Sequence, residues 1–251
     1  MIISKTFKIL ITILGCLFFS LTASSHLASG FDEALASADR PAEEKARDAN
    51  RKPKEVLEFL RLHAGSTVFE VIAGAGWYTE VLSAAVGSEG RVISQIPGRF
   101  ADRLGPGANE RAERLGNVDV YIGNTNESGL DEEADFAFTA LNFHDLTNGG
   151  DEVALNNLSA IYQALKPGGT LGIVDHIGNE TQDNESALQT QSTLHRMEVG
   201  RALRLLSLAG FAVEENYEIL HNPLDDHTLR NNDPSLERNT DRMVLRARKP
   251  D

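Results

Sequence analysis

The 251-residue chain is poor in cysteine, has no run of Lys and Arg, and has no apolar stretch long enough to span a bilayer comfortably. Cys16 is the only cysteine, and it lies in the leader described below. The rest of the chain therefore excludes disulfides and thiolate catalysis, which suits an oxidising compartment. The formal net charge is −13. A surface of that sign repels polyanions, so no nucleic acid is expected as a partner. No H-x-x-x-H or H-E-x-x-H spacing occurs, so no metal is assigned. Internal repeats and low-complexity segments are absent as well.

The first 25 residues read as a secretory signal peptide. Lys5 and Lys8 make a short basic region, Ile9 to Leu21 is apolar, and Ala23-Ser24-Ser25 supplies small residues for cleavage. Ile13-Leu14-Gly15 before Cys16 faintly resembles a lipoprotein box. The apolar run continues through Leu17, Phe18 and Phe19, however, where a lipid-modified cysteine should end it. Lipid anchoring at Cys16 is therefore not expected. The expected product is exported, periplasmic or secreted, and starts near His26. Loss of two lysines takes its charge from −13 to about −15.

Residues 26–52 read as a polar, Ala-rich arm, loose with one short helix, and 53–251 as one domain. Pro53 opens a helix that the spacing predicts to run to Gly65. Strand and helix then alternate. "STVFEVI", "RVISQI", "VDVYIG", "ADFAFTAL" and "TLGIVDH" read as strands, and "WYTEVLSAAVG", "NERAERLG" and "DEVALNNLSAIYQALKPGG" as helices. "SALQTQSTLHRMEVGRALRLLSLAG" reads as one long helix ending at Gly210. "FAVEENYEIL" and "RMVLRARKP" have no helix between them and should pair as a hairpin across a polar loop. This pattern predicts an α/β doubly wound, Rossmann-like fold. Its seven-stranded sheet is mostly parallel, with helices on both faces and a C-terminal antiparallel hairpin.

In such a sheet, ligands sit beyond the carboxyl ends of the strands. Gly74 and Gly76 follow the first strand there, and a helix starts straight after. Missing side chains let a ligand approach the backbone, and the helix start offers free N–H groups. A tight strand-to-helix turn would need the same glycines. A dinucleotide site wants more: Ile72 and Thr79 stand where further glycines are wanted, and "RVISQIPGRF" carries no acid for a ribose. Glu70, just before the turn, can face a ligand ammonium group instead.

"VFEVIAGAGWYTEVLSAAVGSEGRV" resembles the first motif of class I S-adenosylmethionine-dependent methyltransferases. "RPAEEKARDANRKPKEVLEFL", "LNFHDL", "ALKPGGTLGIVDH", "LHRMEV", "AGFAVEE" and "NPLDDHT…TDRMVLRARKP" together resemble a bacterial group of exported predicted methyltransferases, from about Arg40 to Pro250. The resemblance implies S-adenosylmethionine as cofactor, with Glu70, Ala73, Gly74 and Gly76 lining its methionine end. It puts Gln95 at the usual place of a ribose-binding carboxylate, Asn124 near the adenine amino group and Asn142 beside the methyl group. Gln95 departs from the family, since an amide cannot accept from two hydroxyls as a carboxylate does.

A second polar set follows strands four and five: Asn142, His144, Asp145, Asp175, His176, and His195 on the long helix. All should meet at the same sheet edge. A hydroxyl or amine acceptor must lose a proton on methylation, which a histidine can take. His144 is the candidate base, Asp145 or Asp175 its orienting partner, and His176 and His195 the walls of a small-molecule acceptor pocket. Each could equally be a hydrogen-bonded structural residue, and the same set could hold zinc or iron. Trp77 and Tyr78 read mainly as packing, Asp225, Asp226 and His227 as a solvated loop, and Arg40, Asp48 and Arg51 as a possible cover. The expected activity is methyl transfer to a small molecule. The alternative is an exported binding protein that keeps the fold without turnover, because S-adenosylmethionine is made in the cytoplasm. A nicotinamide oxidoreductase is disfavoured by the missing glycine and acid.

Overall fold

The computed structural model describes residues 27–216 and 218–251. The leader with Cys16, and His26, lie outside the described residues. Helices α1 (Phe31–Ala36), α2 (Ala42–Lys45), α3 (Asp48–Arg51) and α4 (Pro53–Leu60) come first. Then follow β1 (Thr67–Glu70), α5 (Trp77–Val86), β2 (Arg91–Ile96), α6 (Ala101–Leu115), β3 (Val118–Ile122), β4 (Ala134–Ala140) and α7 (Phe143–Leu146). The chain continues through α8 (Asp151–Ala164), β5 (Leu165–Gly178), α9 (Asn184–Leu194), β6 (Met197–Glu198), α10 (Val199–Leu208), β7 (Ala212–Asn216) and β8 (Arg242–Arg248).

The sheet order is β3-β2-β1-β4-β5-β8-β7, with the two-residue β6 paired to β5 off this path. Strands β1 to β5 run parallel, while β8 pairs antiparallel with both β5 and β7. This is the expected Rossmann-like sheet of seven strands with a closing hairpin, plus one short extra strand. The chain winds outward from β1 to β3, then returns to the other side of β1 with β4. That reversal leaves a crevice at the carboxyl ends of β1 and β4.

Alternation along the strands builds two cores. Phe69, Ile93, Ala137, Ile173 and Leu245 face α8 and α10. Val68, Val92, Phe136, Phe138 and Val244 face α1, α4 and α5. Successive strand residues point to opposite faces, so helices must cover both sides.

Five elements differ from the sequence reading. Helix α8 stops at Ala164, and the LKPGG stretch read as its end already belongs to β5. Helix α4 ends at Leu60 with Arg61 as a left-handed cap (φ 57°), short of Gly65, because the Leu62 N–H turns back to the Leu57 carbonyl at 3.1 Å and Leu62 is buried. Helix α6 is longer than expected and runs through Pro106. Gly105 lets it lie close to β3, where an added Cβ would stand 3.2 Å from Ile122 Cδ1.

The long helix is in fact two. His195 sits between them in the left-handed conformation at φ 52°. The break serves Arg196. Its buried guanidinium pairs with Asp225 at 2.9 and 3.0 Å and donates to the carbonyls of Ile177 and Leu229 at 2.9 and 2.7 Å. Asp225 is therefore buried rather than solvated. The apolar spacing continues on both sides of the break and hides it.

The arm is packed rather than loose. Leu27, Phe31 and Leu35 enter the second core, and the Trp77 indole N–H donates to the Glu44 carbonyl at 2.9 Å. The buried Arg40 guanidinium donates to both oxygens of Asp48 at 2.5 and 2.8 Å and to the Leu35 carbonyl at 3.2 Å. Asp48→Ala would strand that charge. It should cost about 3 kcal/mol, at the low end for a broken buried pair because Asp48 keeps some solvent contact. The double variant Arg40→Met/Asp48→Leu should recover most of the loss. Urea midpoints check both, and an unchanged midpoint in Asp48→Ala would show that the arm is not held by this pair.

Candidate active site

The turn after β1 is held from two sides. Ile72 adopts φ 55°, a conformation that costs a β-branched residue roughly 1–2 kcal/mol. Its N–H donates to Gln95 Oε1 at 2.7 Å, and its carbonyl accepts from Asn142 Nδ2 at 2.9 Å. Gln95 Nε2 also donates to the Gly123 carbonyl at 2.7 Å. Gln95 is thus buried and clamps the ends of β1, β2 and β3 together. Asn142 reaches back to the Ala140 carbonyl at 2.8 Å and so fastens β4 to the same turn.

Gly74 and Gly76 follow at φ 62° and 84°. A Cβ on Gly74 would meet nothing within 4 Å, so open space lies before it, whereas one on Gly76 would stand 2.7 Å from Arg111 Nε. Gly74 therefore offers backbone to a ligand, and Gly76 makes room for an arginine. Ala73 is half-buried beside them, its N–H on the Gln95 carbonyl at 2.9 Å. Trp77 and Tyr78 are buried in the core, as their packing role requires.

Glu70 lies buried under this turn. Thr79 Oγ1 donates to its Oε2 at 2.6 Å, so the residue that replaces a third glycine serves the carboxylate. Burial pushes the Glu70 carboxyl up to about 7, against the pull of Thr79, Ser94 and Arg111.

Asn124 is exposed after β3, its amide on Glu127 at 3.0 Å. With Ile72, Gln95, Pro97, Arg99 and Asp145 it lines a cavity of about 140 Å³. A larger cavity of about 510 Å³ lies at the ends of β4 and β5. Arg47, Arg51, Leu141, His176, Arg238 and Arg242 are among its walls.

The histidines converge at this edge. Asp175 is fully buried and accepts from the His144 backbone N–H at 2.6 Å and the His176 N–H at 2.8 Å. Its Oδ1 lies 2.9 Å from His144 Nδ1. Asp175, rather than Asp145, is therefore the orienting carboxylate. The Nε2 edge of His144 faces Asp145 Oδ2 at 3.8 Å. Burial alone would favour the neutral forms, but each partner's charge outweighs it. The His144 imidazole is raised above its ordinary value and the Asp175 carboxyl is held below its own.

His176 is buried against Thr240 Oγ1 at 2.6 Å, and burial drives its pKa down to about 3. It is a neutral wall residue. His195 is half-exposed, 3.6 Å from Asp145 Oδ1, with Arg230 donating to its Nε2 at 2.8 Å. His144, Asp145 and His195 each offer a ligand atom, all within 4.8 Å of one another. No local sequence spacing could foretell that trio, because His195 comes from a separate element. Gln191 was also missed; it donates to the His144 carbonyl at 2.5 Å.

A family model described as protein-L-isoaspartate(D-aspartate) O-methyltransferase (PCMT) matches residues 49–204. The chain belongs to that methyltransferase family. PCMT-family membership agrees with the fold. An S-adenosylmethionine-dependent methyltransferase from Aquifex aeolicus superposes with a TM-score of 0.58 at 23% identity, over 86% of this chain and 97% of that one. A possible exported protein from Bordetella parapertussis gives 0.55 at 19% identity, over 82% and 68%. Phosphoethanolamine N-methyltransferase 2 of Haemonchus contortus, in complex with S-adenosyl-L-methionine, gives 0.57 at 15% identity, over 89% and 61%. No curated protein matches the chain in sequence.

Glu70 makes the stability of this PCMT-family chain pH-dependent. Its folded pKa of about 7 lies above the ordinary 4.5, so the folded state holds the proton more tightly. Its contribution is greatest below about pH 4.5 and falls as pH rises to about 7. At ~1.4 kcal/mol per pKa unit, the change is on the order of 3 kcal/mol. His176 acts oppositely, since its depressed pKa costs stability as pH falls from 6.5 towards 3. The difference between wild type and Glu70→Gln isolates the first effect. The variant should gain relative stability across pH 4.5–7, and a gap that stays constant over that range would overturn the assignment.

Proposed function

We propose that the chain is an exported S-adenosylmethionine-dependent methyltransferase that acts on a small-molecule acceptor, with His144 as general base. The observation that carries this reading is the juxtaposition of an open glycine turn over Glu70 with the His144–Asp175 pair two strands away. The family membership and fold support the reaction class. The leader and the likeness to a possible exported protein support export. Among the described residues no helix is long and apolar enough to cross a membrane.

The residues fit the cofactor. Gly74 leaves a cradle that a side chain would fill, and Glu70, buried under the turn with its pKa raised to about 7, would be drawn into its ionised form by an ammonium group. Ala73 and Gly76 shape the turn, Asn142 fixes it to β4, and Asn124 stands at the cavity beside β2 and β3. Gln95 contributes through the clamp on Ile72, since its amide is already engaged on both sides. S-Adenosylmethionine supplies an electrophilic methyl group on a sulfonium. The chain's task is to orient an acceptor and remove its proton.

In that task Asp175 holds His144 by Nδ1 and leaves Nε2 as the proton-accepting atom. Asp145 borders that atom, and its charge steadies the imidazolium that forms. His176 and His195 flank the ring, with centroids 6.0 and 5.3 Å away, and shape the acceptor side.

Calorimetry on the leader-free protein should detect S-adenosylmethionine, and Gly74→Val should weaken it at least tenfold, about 1.4 kcal/mol. His144→Ala should lower turnover by roughly 10²- to 10⁴-fold and leave cofactor affinity nearly unchanged. Only neutral His144 accepts a proton, and its pKa is raised. Turnover should therefore climb with pH through a value above 6.5. Asp175→Asn should shift that limb to lower pH, because burial is then opposed only by the charge of Asp145. Full activity in His144→Ala at neutral pH would remove the base assignment. Cofactor binding without turnover would favour the exported binding protein.

A further inference from the structure

We infer that the acceptor carries an anionic group, a carboxylate or a phosphate, which docks on Arg47, Arg51, Arg238 and Arg242 in the larger cavity. The inference rests on the methyltransferase reading and names the acceptor's chemical class. The first observation is a contrast among arginines. The buried guanidiniums elsewhere each face a carboxylate: Arg40 pairs with Asp48, Arg196 with Asp225 and Arg201 with Asp151. Among the described residues, none of the four cavity arginines makes an ion pair, although the chain's net charge is −13. Unpaired cations gathered in a recess repel one another and lose solvation, and an anion relieves both costs.

The surroundings are specific. Arg51 lies with its guanidinium 4.4 Å from the Trp77 ring centroid and 5.9 Å from that of Tyr78. Those aromatic faces fix its plane and leave its N–H edge without a carboxylate. Among the described residues Arg242 donates only to backbone, to Asn50 at 2.7 Å and Thr240 at 3.1 Å. The nearby Asp241 is engaged by His221 and His227 at 3.1 and 3.0 Å. Among the described residues Glu237 is the one acidic residue in the cavity wall, and it is exposed. Burial depresses the Arg51 guanidinium to about 10 against the opposing pull of Tyr78, and Arg47, Arg242 and Arg238 add smaller pushes in the same direction as burial. The Tyr78 hydroxyl, which feels both Arg51 and Arg242, is buried and finds no hydrogen-bond partner among the described residues.

The position suits an acceptor. Leu141 and His176, at the ends of β4 and β5, form the inner wall, and His176 stands beside the proposed base. A volume of about 510 Å³ holds a small organic molecule. Planar guanidiniums match carboxylate and phosphate oxygens in pairs.

The cofactor's own carboxylate has the same chemistry, so the test separates the two sources. Leader-free protein saturated with S-adenosylhomocysteine is titrated with benzoate, phenyl phosphate and neutral benzamide. At least one anion should bind tenfold or more tightly than benzamide, and the preference should shrink with added salt. Arg51→Gln and the exposed Arg238→Gln should each weaken that anion at least fivefold, Arg51→Lys less so, while S-adenosylhomocysteine affinity stays within twofold. Equal binding of benzamide and the anions would overturn the proposal. So would a loss of S-adenosylhomocysteine affinity in both glutamine variants with no change for the anions, since the arginines would then serve the cofactor. Anion binding in a protein that takes no S-adenosylhomocysteine would uphold the anion site and count against the methyltransferase reading alone.

Discussion

The carboxyl edge of the sheet depends on one buried carboxylate. Asp175 lies near the end of β5; among the described residues no Lys or Arg pairs with it, and it is satisfied by two backbone N–H groups and one imidazole. Those bonds set the direction of α7, the tautomer of His144 and the path of the chain into His176. A neutral amide in its place could keep part of the geometry, but not the charge that raises His144. Structure and acid–base chemistry are therefore coupled through one side chain. The low dielectric around it makes that coupling strong.

The glycine turn shows the same economy by other means. Ile72 is held in a conformation it disfavours, and Gln95 and Asn142 hold it there from two neighbouring strands. Strain of this kind persists where surrounding bonds over-determine it. Thr79 spends its hydroxyl on Glu70, and Gly76 yields its space to Arg111. Two of the places where the chain departs from a glycine-rich fingerprint, Ile72 and Thr79, are places where side chains brace the turn from below.

Much of this architecture was legible in the sequence because period-two and period-three-to-four patterns report burial directly. Strands β1 to β5, the closing hairpin and helices α5 and α8 follow from them. The turn and the histidine edge followed from strand order alone. What escaped was polar. The break at His195 answers to Arg196 and Asp225, 29 residues apart, and apolar spacing carries no trace of it. The choice between Asp145 and Asp175 as partner of His144 depended on which carboxylate was buried. The arm's packing rests on Arg40 and Trp77, whose polar or singular character gives no periodic signal. The four cavity arginines come from both ends of the chain and form no local motif.

That last point bears on how the molecule is put together. Arg242 on β8 reaches the Asn50 carbonyl across 192 positions, Arg246 reaches Phe59 across 187, and Lys52 reaches Ile219 across 167. The wall of the larger cavity is thus a seam between the beginning and the end of the chain. Closing so long a loop has an entropic cost that rises only slowly with length, but it cannot be met until the final strand is in place. Strands β1 to β5 can pair without that seam, while β8 adds Leu245 and Val244 to the two cores only as the seam closes. The cavity then exists only in chains that have finished folding, and a local opening of the seam would erase the recess while leaving the sheet intact.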